Sequence, residues 1–349
     1  MRASTGRLSN APNVHEHCVG AGPNSPLSMW VLPEIAPLTG CDVFHATANI
    51  LPARLPMKTV TSVHDIMWLD HPQWCDTSLA APLKRAFYAH GIRRALSHSD
   101  RIAAISRATA DAILAHHPES AERLSVTFPG VSDRFKPAPR DPAQMVRLGL
   151  DDGATYGLVV GQNAPYKNHE GALRGFALAR EMARNAREGL SQAAPDGAVD
   201  TAKLVFVHRQ GQGPAELRAL AHELGIDDAV IFTGPLDEAG LIQLYCGAHV
   251  LLHPSWCEGF GNPVAEAMAC GCPVITSARS AMPEVAGGAA LLVDPADCAH
   301  IARALCSVWA DPAQRDAMSQ AGIARAKTLK WADFAAANIA IYRALIASK

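Results

Sequence analysis

From about residue 43 onward, short apolar runs alternate with longer helical stretches, and this alternation restricts the fold more than any other feature of the sequence. Runs at 43–45, 59–63, 101–105 and 124–128 read as strands, and 79–96 and 108–115 read as helices. Ser106 is placed to cap the second helix, and Pro118 lies just past its end. Strands separated by helices do not close as hairpins; they pair in parallel through right-handed crossovers. Pro129-Gly130 makes a turn, and 135–152, with Pro137, Pro139, Pro142 and few apolar residues, reads as a linker. A second series follows, with strands at 156–160, 204–207, 230–232, 250–252 and 274–276. Helices are expected at 169–186, 215–224, 238–246 and 263–269, then at 299–309, 312–326 and 331–347. A Gly, Ala and Pro stretch at 185–200 reads as a surface insertion. The expectation is an α/β chain of two doubly wound units, 1–145 and 146–328, followed by a C-terminal helix at 329–349. A length of 349 residues, at roughly 150 per domain, agrees.

Charge and cysteine usage exclude several classes of function. Thirty-one Lys and Arg against 33 Asp and Glu leave a net charge of -2, so there is no general basic field for nucleic acid. The nine cysteines are scattered, without a C-x-x-C pair, and read as free, mostly buried thiols of a cytoplasmic protein. Residues 1–30 hold no apolar core of signal-peptide length, and no window approaches the 18 or so apolar residues of a spanning helix.

The chemistry concentrates in 249–276, HVLLHPSWCEGFGNPVAEAMACGCPVIT. The strand at 250–252 runs into a loop at 255–261, after which Asn262 is a candidate N-cap, Pro263 fits the first helical position and Gly271 suits the helix end. Glu258 then sits at the carboxyl end of a parallel strand, where open α/β sheets bind ligands. Gly259 and Gly261 let backbone N–H groups approach a ligand beside the positive end of a helix. Two carboxylates, Glu258 and Glu266, flanking such a helix start suit a ligand that is both hydroxyl-rich and phosphorylated. A plain glycine turn with two surface glutamates has the same spacing.

The segment resembles the signature of the family 4 retaining glycosyltransferases of the GT-B type, E-G-F-G-x-P-x-x-E-A-M-A-x-G-x-P-V-I. It runs here without gaps from Glu258-Gly259-Phe260-Gly261-Asn262-Pro263 through Glu266 to Pro273-Val274-Ile275. Gly161 with Pro165-Tyr166-Lys167-Asn168, Phe232-Thr233-Gly234, and Glu284 to Pro295 resemble supporting blocks in the family's order. The resemblance implies two Rossmann-like domains whose parallel sheets face a central cleft, the first on the acceptor side and the second binding a nucleotide-sugar, with the last helix crossing back to the first. It implies that Glu258 contacts hydroxyls of the transferred sugar and Glu266 the ribose. Gly259, Phe260, Gly261, Asn262 and Pro263 would line the sugar and phosphate, with Gln162, Asn163 and Gly234 also at the donor.

Lys167 ends the loop after the strand at 156–160, where a cation would offset charge developing on a departing diphosphate. Many relatives carry an arginine soon after that strand; Gln162 and Asn163 stand here instead, and Arg209 is a candidate substitute. His64 and Asp65, within VTSVHDIMWLDHP, resemble the family's T-x-H-D block, which places the histidine beside the donor sugar. No D-x-D occurs, and the resemblance implies metal-independent transfer, with the leaving phosphate helping to deprotonate the acceptor. No carboxylate stands as a clear covalent nucleophile.

The blocks around Asn49-Ile50-Leu51-Pro52 and His64-Asp65 look most like bacterial mannosyltransferases of surface-polysaccharide assembly, which makes GDP-mannose the leading donor and a glycan or lipid-linked hydroxyl the acceptor. No further cofactor is expected. The helix at 79–97 carries Lys84, Arg85, Arg93 and Arg94 beside Leu83, Phe87 and Ile92, a pattern that fits either an ordinary domain helix or a peripheral contact with the inner face of a membrane. An epimerase of the same fold and an inactive nucleotide-sugar-binding paralogue are the competing functions. Relatives place a strand, a glycine-rich loop and a helix ahead of the His-Asp block; here His64 comes early, so the first domain is expected to be shortened at its start.

Overall fold

A computed structural model gives the fold of residues 9–20, 22, 24–76, 78–150, 154–189, 198–208 and 214–347. The chain forms two compact units, and each is built on its own parallel sheet.

The first unit takes the chain up to Pro72, then Asp76–Phe128, then the C-terminal helix from Phe334. Its strands β1 (Val43–Ala46), β2 (Lys58–Val63), β3 (Arg101–Ala104) and β4 (Leu124–Val126) lie in sequence order, all parallel. Side chains alternate across the sheet, and helices cover both faces. On one face Val63, Ile102 and Ala104 pack with Ile92 and Leu96 of the helix Ala81–His98 and Ile113 of the helix Arg107–His116. On the other, Val60 and Ala103 pack with Ile341 and Leu345 of the helix Trp331–Ala347. His45 pins that helix, with Nδ1 2.5 Å from the Tyr342 hydroxyl and Nε2 2.8 Å from Ser62 Oγ. Burial pushes the His45 pKa down, which keeps the ring neutral.

The second unit, Gln73–Cys75 and Pro129–Asp333, holds β5 (Tyr156–Val160), β6 (Lys203–Val207), β7 (Val230–Thr233), β8 (Val250–His253), β9 (Val274–Ser277) and β10 (Leu291–Val293). Their order is β10-β9-β8-β5-β6-β7. Leu173 and Phe176 of the helix His169–Arg187, with Ile301 and Leu305 of the helix Cys298–Ala310, fill the core on one face. The chain winds outward from β5 to β7, returns to the other side of β5 at β8, and winds outward again. The carboxyl ends of β5 and β8 therefore flank a topological switch point, where loops diverge and leave a crevice.

The linker expected at 135–152 contains a helix, Pro142–Arg147, and the units divide after Phe128 rather than at 145. Asp141 caps that helix, accepting from the Ala143 and Gln144 N–H groups, with Pro142 in the first turn. The proline that argued for a linker is a helix start. Ser25 likewise caps a short helix, Pro26–Trp30, within a stretch that gave no regular element from sequence. All nine cysteines are free, but only Cys270, Cys272 and Cys306 are buried, and Cys18 and Cys41 are exposed. The mostly buried set expected from composition is therefore corrected; those two lie outside the sheets and their covering helices.

The basic helix is also less uniform than its sequence. Lys84, Arg85 and Arg93 are exposed, but Lys84 is paired with Asp76, and Arg94 is half-buried. Leu79 and Leu83 at its start are exposed, as are Leu27 and Trp30 on the preceding short helix, whose Trp30 ring lies 6.1 Å from Phe87. Arg209, and 190–197 of the expected insertion, lie outside the described residues.

Candidate functional site

The loops after β5 and β8 carry the site. Beyond β5 the backbone turns at Gly161 (φ 145°) and passes through a 3-10 turn, Pro165–Lys167, into the helix His169–Arg187. A Cβ at Gly161 would lie 3.3 Å from Lys167 Cε, so the bare glycine lets the lysine stem lie back along the strand end.

Asn168 (φ 53°) closes the turn and ties three loops together. Its Oδ1 accepts from the Gly171 N–H, capping the helix, while Nδ2 donates to the carbonyls of Pro254 (3.0 Å) and Pro295 (2.9 Å). Asn168→Ala removes the cap, leaves two carbonyls of buried residues without their donor and puts alanine at positive φ. The expected loss is about 3 kcal/mol or more of unfolding free energy, read by urea denaturation.

Lys167 and Glu258 meet at the switch point. Lys167 Nζ lies 2.5 Å from Glu258 Oε1, and each side chain is only 10% exposed. Burial alone would raise the Glu258 pKa. The Lys167 charge and the His253 hydrogen bond outweigh that and hold it at about 2, so the carboxylate stays ionised. Its backbone is fixed by Ser280, whose Oγ accepts from the Glu258 N–H (3.2 Å) and donates to the Glu258 carbonyl (2.7 Å).

The glycine turn then delivers the helix Asn262–Ala269. Gly261, not Asn262, is the N-cap, with φ 88°; Asn262 is the first helical residue, with Pro263 beside it in the first turn. The left-handed backbone explains the shift, because glycine reaches that conformation without strain. Gly261 has no side chain to cap the first-turn N–H groups, and a helix start of this kind suits an anion. Glu266, inside the same helix, accepts a hydrogen bond at Oε2 from the Tyr245 hydroxyl at 3.0 Å. Burial pushes the Glu266 pKa up, and the Tyr245 bond only partly opposes this.

The remaining sequence-derived residues divide by position. Gly259 and buried Phe260 lie between Glu258 and the helix cap, and Gly234 follows β7 at the same sheet edge. Gln162 and Asn163 are exposed on the loop after β5. His64 and Asp65 belong to the first unit, just past β2. There His64 Nε2 lies 2.7 Å from the Thr47 carbonyl, and Asp65 Oδ1 accepts from the Met67 N–H at 3.0 Å. Sequence reasoning missed His253, Ser255 and Ser280, which surround Glu258. The first two lie five and three residues before it, inside the quoted segment, but only the loop's curvature turns them onto one carboxylate.

The sequence family described as glycosyl transferases group 1 matches residues 141–325, more than half of the chain and nearly all of the second unit. The chain belongs to this family. Among relatives of this group 1 member, a D-inositol 3-phosphate glycosyltransferase of Streptomyces avermitilis is 31% identical over 260 residues, covering 73% of this chain and 54% of that protein. The match therefore spans little more than half the length of that relative. O-antigen chain mannosyltransferase B of Escherichia coli is 28% identical over 310 residues, covering 87% of this chain and 74% of that one. Among solved structures, a sucrose-phosphate synthase from Thermosynechococcus elongatus aligns with TM-score 0.66 at 23% identity, over 88% of this chain and 74% of that one. WaaG, a glycosyltransferase involved in lipopolysaccharide biosynthesis, aligns with TM-score 0.65 at 18% identity, over 84% and 75%. At these identities the structures speak for the fold, which is GT-B.

Proposed function

We propose that the chain is a retaining glycosyltransferase that moves a hexose, mannose, from a nucleoside-diphosphate sugar to a hydroxyl of a glycan or lipid-linked acceptor, without a metal ion. The observation that carries this reading is the buried Lys167–Glu258 pair at the switch point, beside an uncapped helix start. A carboxylate held ionised accepts hydrogen bonds from sugar hydroxyls, and an ammonium and a helix N-terminus take the diphosphate. In this scheme Lys167 and the helix Asn262–Ala269 stabilise the diphosphate as its bond to the sugar anomeric carbon breaks. The acceptor oxygen bonds to that carbon on the same face, and its proton passes to the leaving phosphate oxygen. Glu266 takes the ribose.

Mannose is supported by the mannosyltransferase relative and by the sequence blocks around Asn49 and His64. The family match favours transfer over epimerisation. The test is a panel of nucleotide-sugars incubated with the purified chain in EDTA. Release of GDP from GDP-mannose faster than UDP from UDP-glucose is the expected result. Activity that vanishes in EDTA and returns with a divalent ion overturns the metal-free reading.

We place this activity at the cytoplasmic face of a membrane. Among the described residues no helix is long and apolar enough to cross one. Exposed Leu79, Leu83, Leu27 and Trp30, with Arg85 and Arg93, supply apolar and cationic contacts for an anionic surface. Flotation with phosphatidylglycerol vesicles is expected to capture the chain, and Leu79→Ser/Leu83→Ser/Arg85→Ser/Arg93→Ser to release it. No capture by anionic vesicles at any salt concentration contradicts the placement.

A further inference from the structure

Three donors converge on a single oxygen of Glu258. Oε1 receives Lys167 Nζ at 2.5 Å, His253 Nε2 at 3.0 Å and Ser255 Oγ at 3.0 Å, while Ser255 Oγ and His253 Nε2 lie 3.2 Å apart. His253 is the last residue of β8, its side chain 2% exposed, and Ser255 is fully buried. Because Glu258 is an ionised acceptor, the imidazole must present an Nε2–H to it. The other oxygen, Oε2, is outside this set.

The arrangement resolves a conflict in the site. In the proposed reaction Lys167 is required on the donor diphosphate, yet its ammonium lies on Glu258. If the lysine were the carboxylate's sole partner, moving it to a phosphate would strand a buried charge, which is costly. His253 and Ser255 supply donors that stay behind.

Resting on the transferase reading, we propose that His253 is a positioning residue. With Ser255 it holds Oε1 from the strand side, so that Lys167 can turn to the diphosphate while Oε2 takes a hydroxyl of the transferred sugar. The titratable groups around the His253 ring are Glu258, Lys167 and, from the helix His169–Arg187, His169. Burial lowers the His253 pKa and Lys167 lowers it further, with the Glu258 hydrogen bond opposing, so the ring is neutral at pH 7. Departure of Lys167 removes one positive neighbour and favours the protonated ring. Donor binding is then coupled to proton uptake, and affinity weakens as pH rises.

The test compares wild type, His253→Leu and His253→Gln with GDP-mannose as the probe, measuring Tm, kcat, KM and KM against pH. Gln keeps an N–H donor; Leu removes it. The expected result is a rise in KM of about ten- to a hundred-fold in His253→Leu, with most of it recovered in His253→Gln. The pH slope of the wild-type KM should be flattened in both variants. A purely structural role would lower Tm in both variants and leave KM and its pH slope as in wild type, which overturns the proposal. Should His253→Leu fail to fold, His253→Gln against Ser255→Ala decides it: the proposal requires a flattened slope in the first and a raised KM with the slope kept in the second. If wild type itself neither binds nor turns over any nucleotide-sugar, the transferase reading fails; if it does and the variants match it, only this proposal fails.

Discussion

Glu258→Gln is expected to lower kcat/KM for the donor by about 10²–10³-fold, the scale seen when one preorganised electrostatic contact is lost from a catalytic site. The replacement keeps the shape and an acceptor oxygen for His253 and Ser255 but removes the charge. It also strands Lys167, an ammonium in a side chain only 10% exposed, without its counter-ion. Breaking a buried pair from one side costs about 3–5 kcal/mol, so the variant should melt earlier as well as turn over more slowly. The two effects separate in the double variant Glu258→Gln/Lys167→Met. With both charges gone, no buried ion lacks a partner and most of the stability should return. Activity should not return, because neither the sugar contact nor the phosphate contact is restored. A double variant that recovers turnover would mean the pair is structural only.

Gly261→Ala is the second large effect. At φ 88° a Cβ costs roughly 1–2 kcal/mol by itself. Here the added carbon would also sit 2.3 Å from Met282 Cε and 3.0 Å from its sulfur. Met282 is flexible but fully buried, so it can yield only by displacing the core around it, at about a further 1–3 kcal/mol. Gly261 caps the helix Asn262–Ala269. In the proposed site that helix gives its N-terminus to the donor, so strain at Gly261 would move the amides proposed to take the phosphate. Donor KM should rise by at least tenfold, which a 1.4 kcal/mol loss already gives. Urea unfolding and donor kinetics on one preparation check both parts; unchanged KM with lowered stability would show that this loop does not touch the donor.

The alternation of strands and helices was legible because buried parallel strands are continuous apolar runs, and β5 and β8 are buried along their whole length. The placement of Glu258 and Glu266 at a strand-to-helix turn was legible because Gly259, Gly261 and Pro263 mark it, and that of Lys167 because it follows the buried run of β5. β10 escaped because it is a three-residue edge strand with Leu292 exposed. The helix Pro142–Arg147 escaped because proline weighs toward linkers unless its aspartate cap is read with it. Contacts such as His45 with Tyr342, 297 residues apart, leave no local signature. The same holds for the clasp on Glu258: His253 and Ser255 are plain in the sequence, but their convergence on one oxygen depends on how the loop folds back.

The proposed donor site is the switch point between β5 and β8. A crystal structure of the chain grown with GDP-mannose tests that most directly. The expected structure has the diphosphate against Lys167 and the start of the helix Asn262–Ala269, the ribose at Glu266, and a sugar hydroxyl on Glu258 Oε2. A nucleotide bound away from Lys167 and Glu258, with their ion pair unchanged, would contradict it.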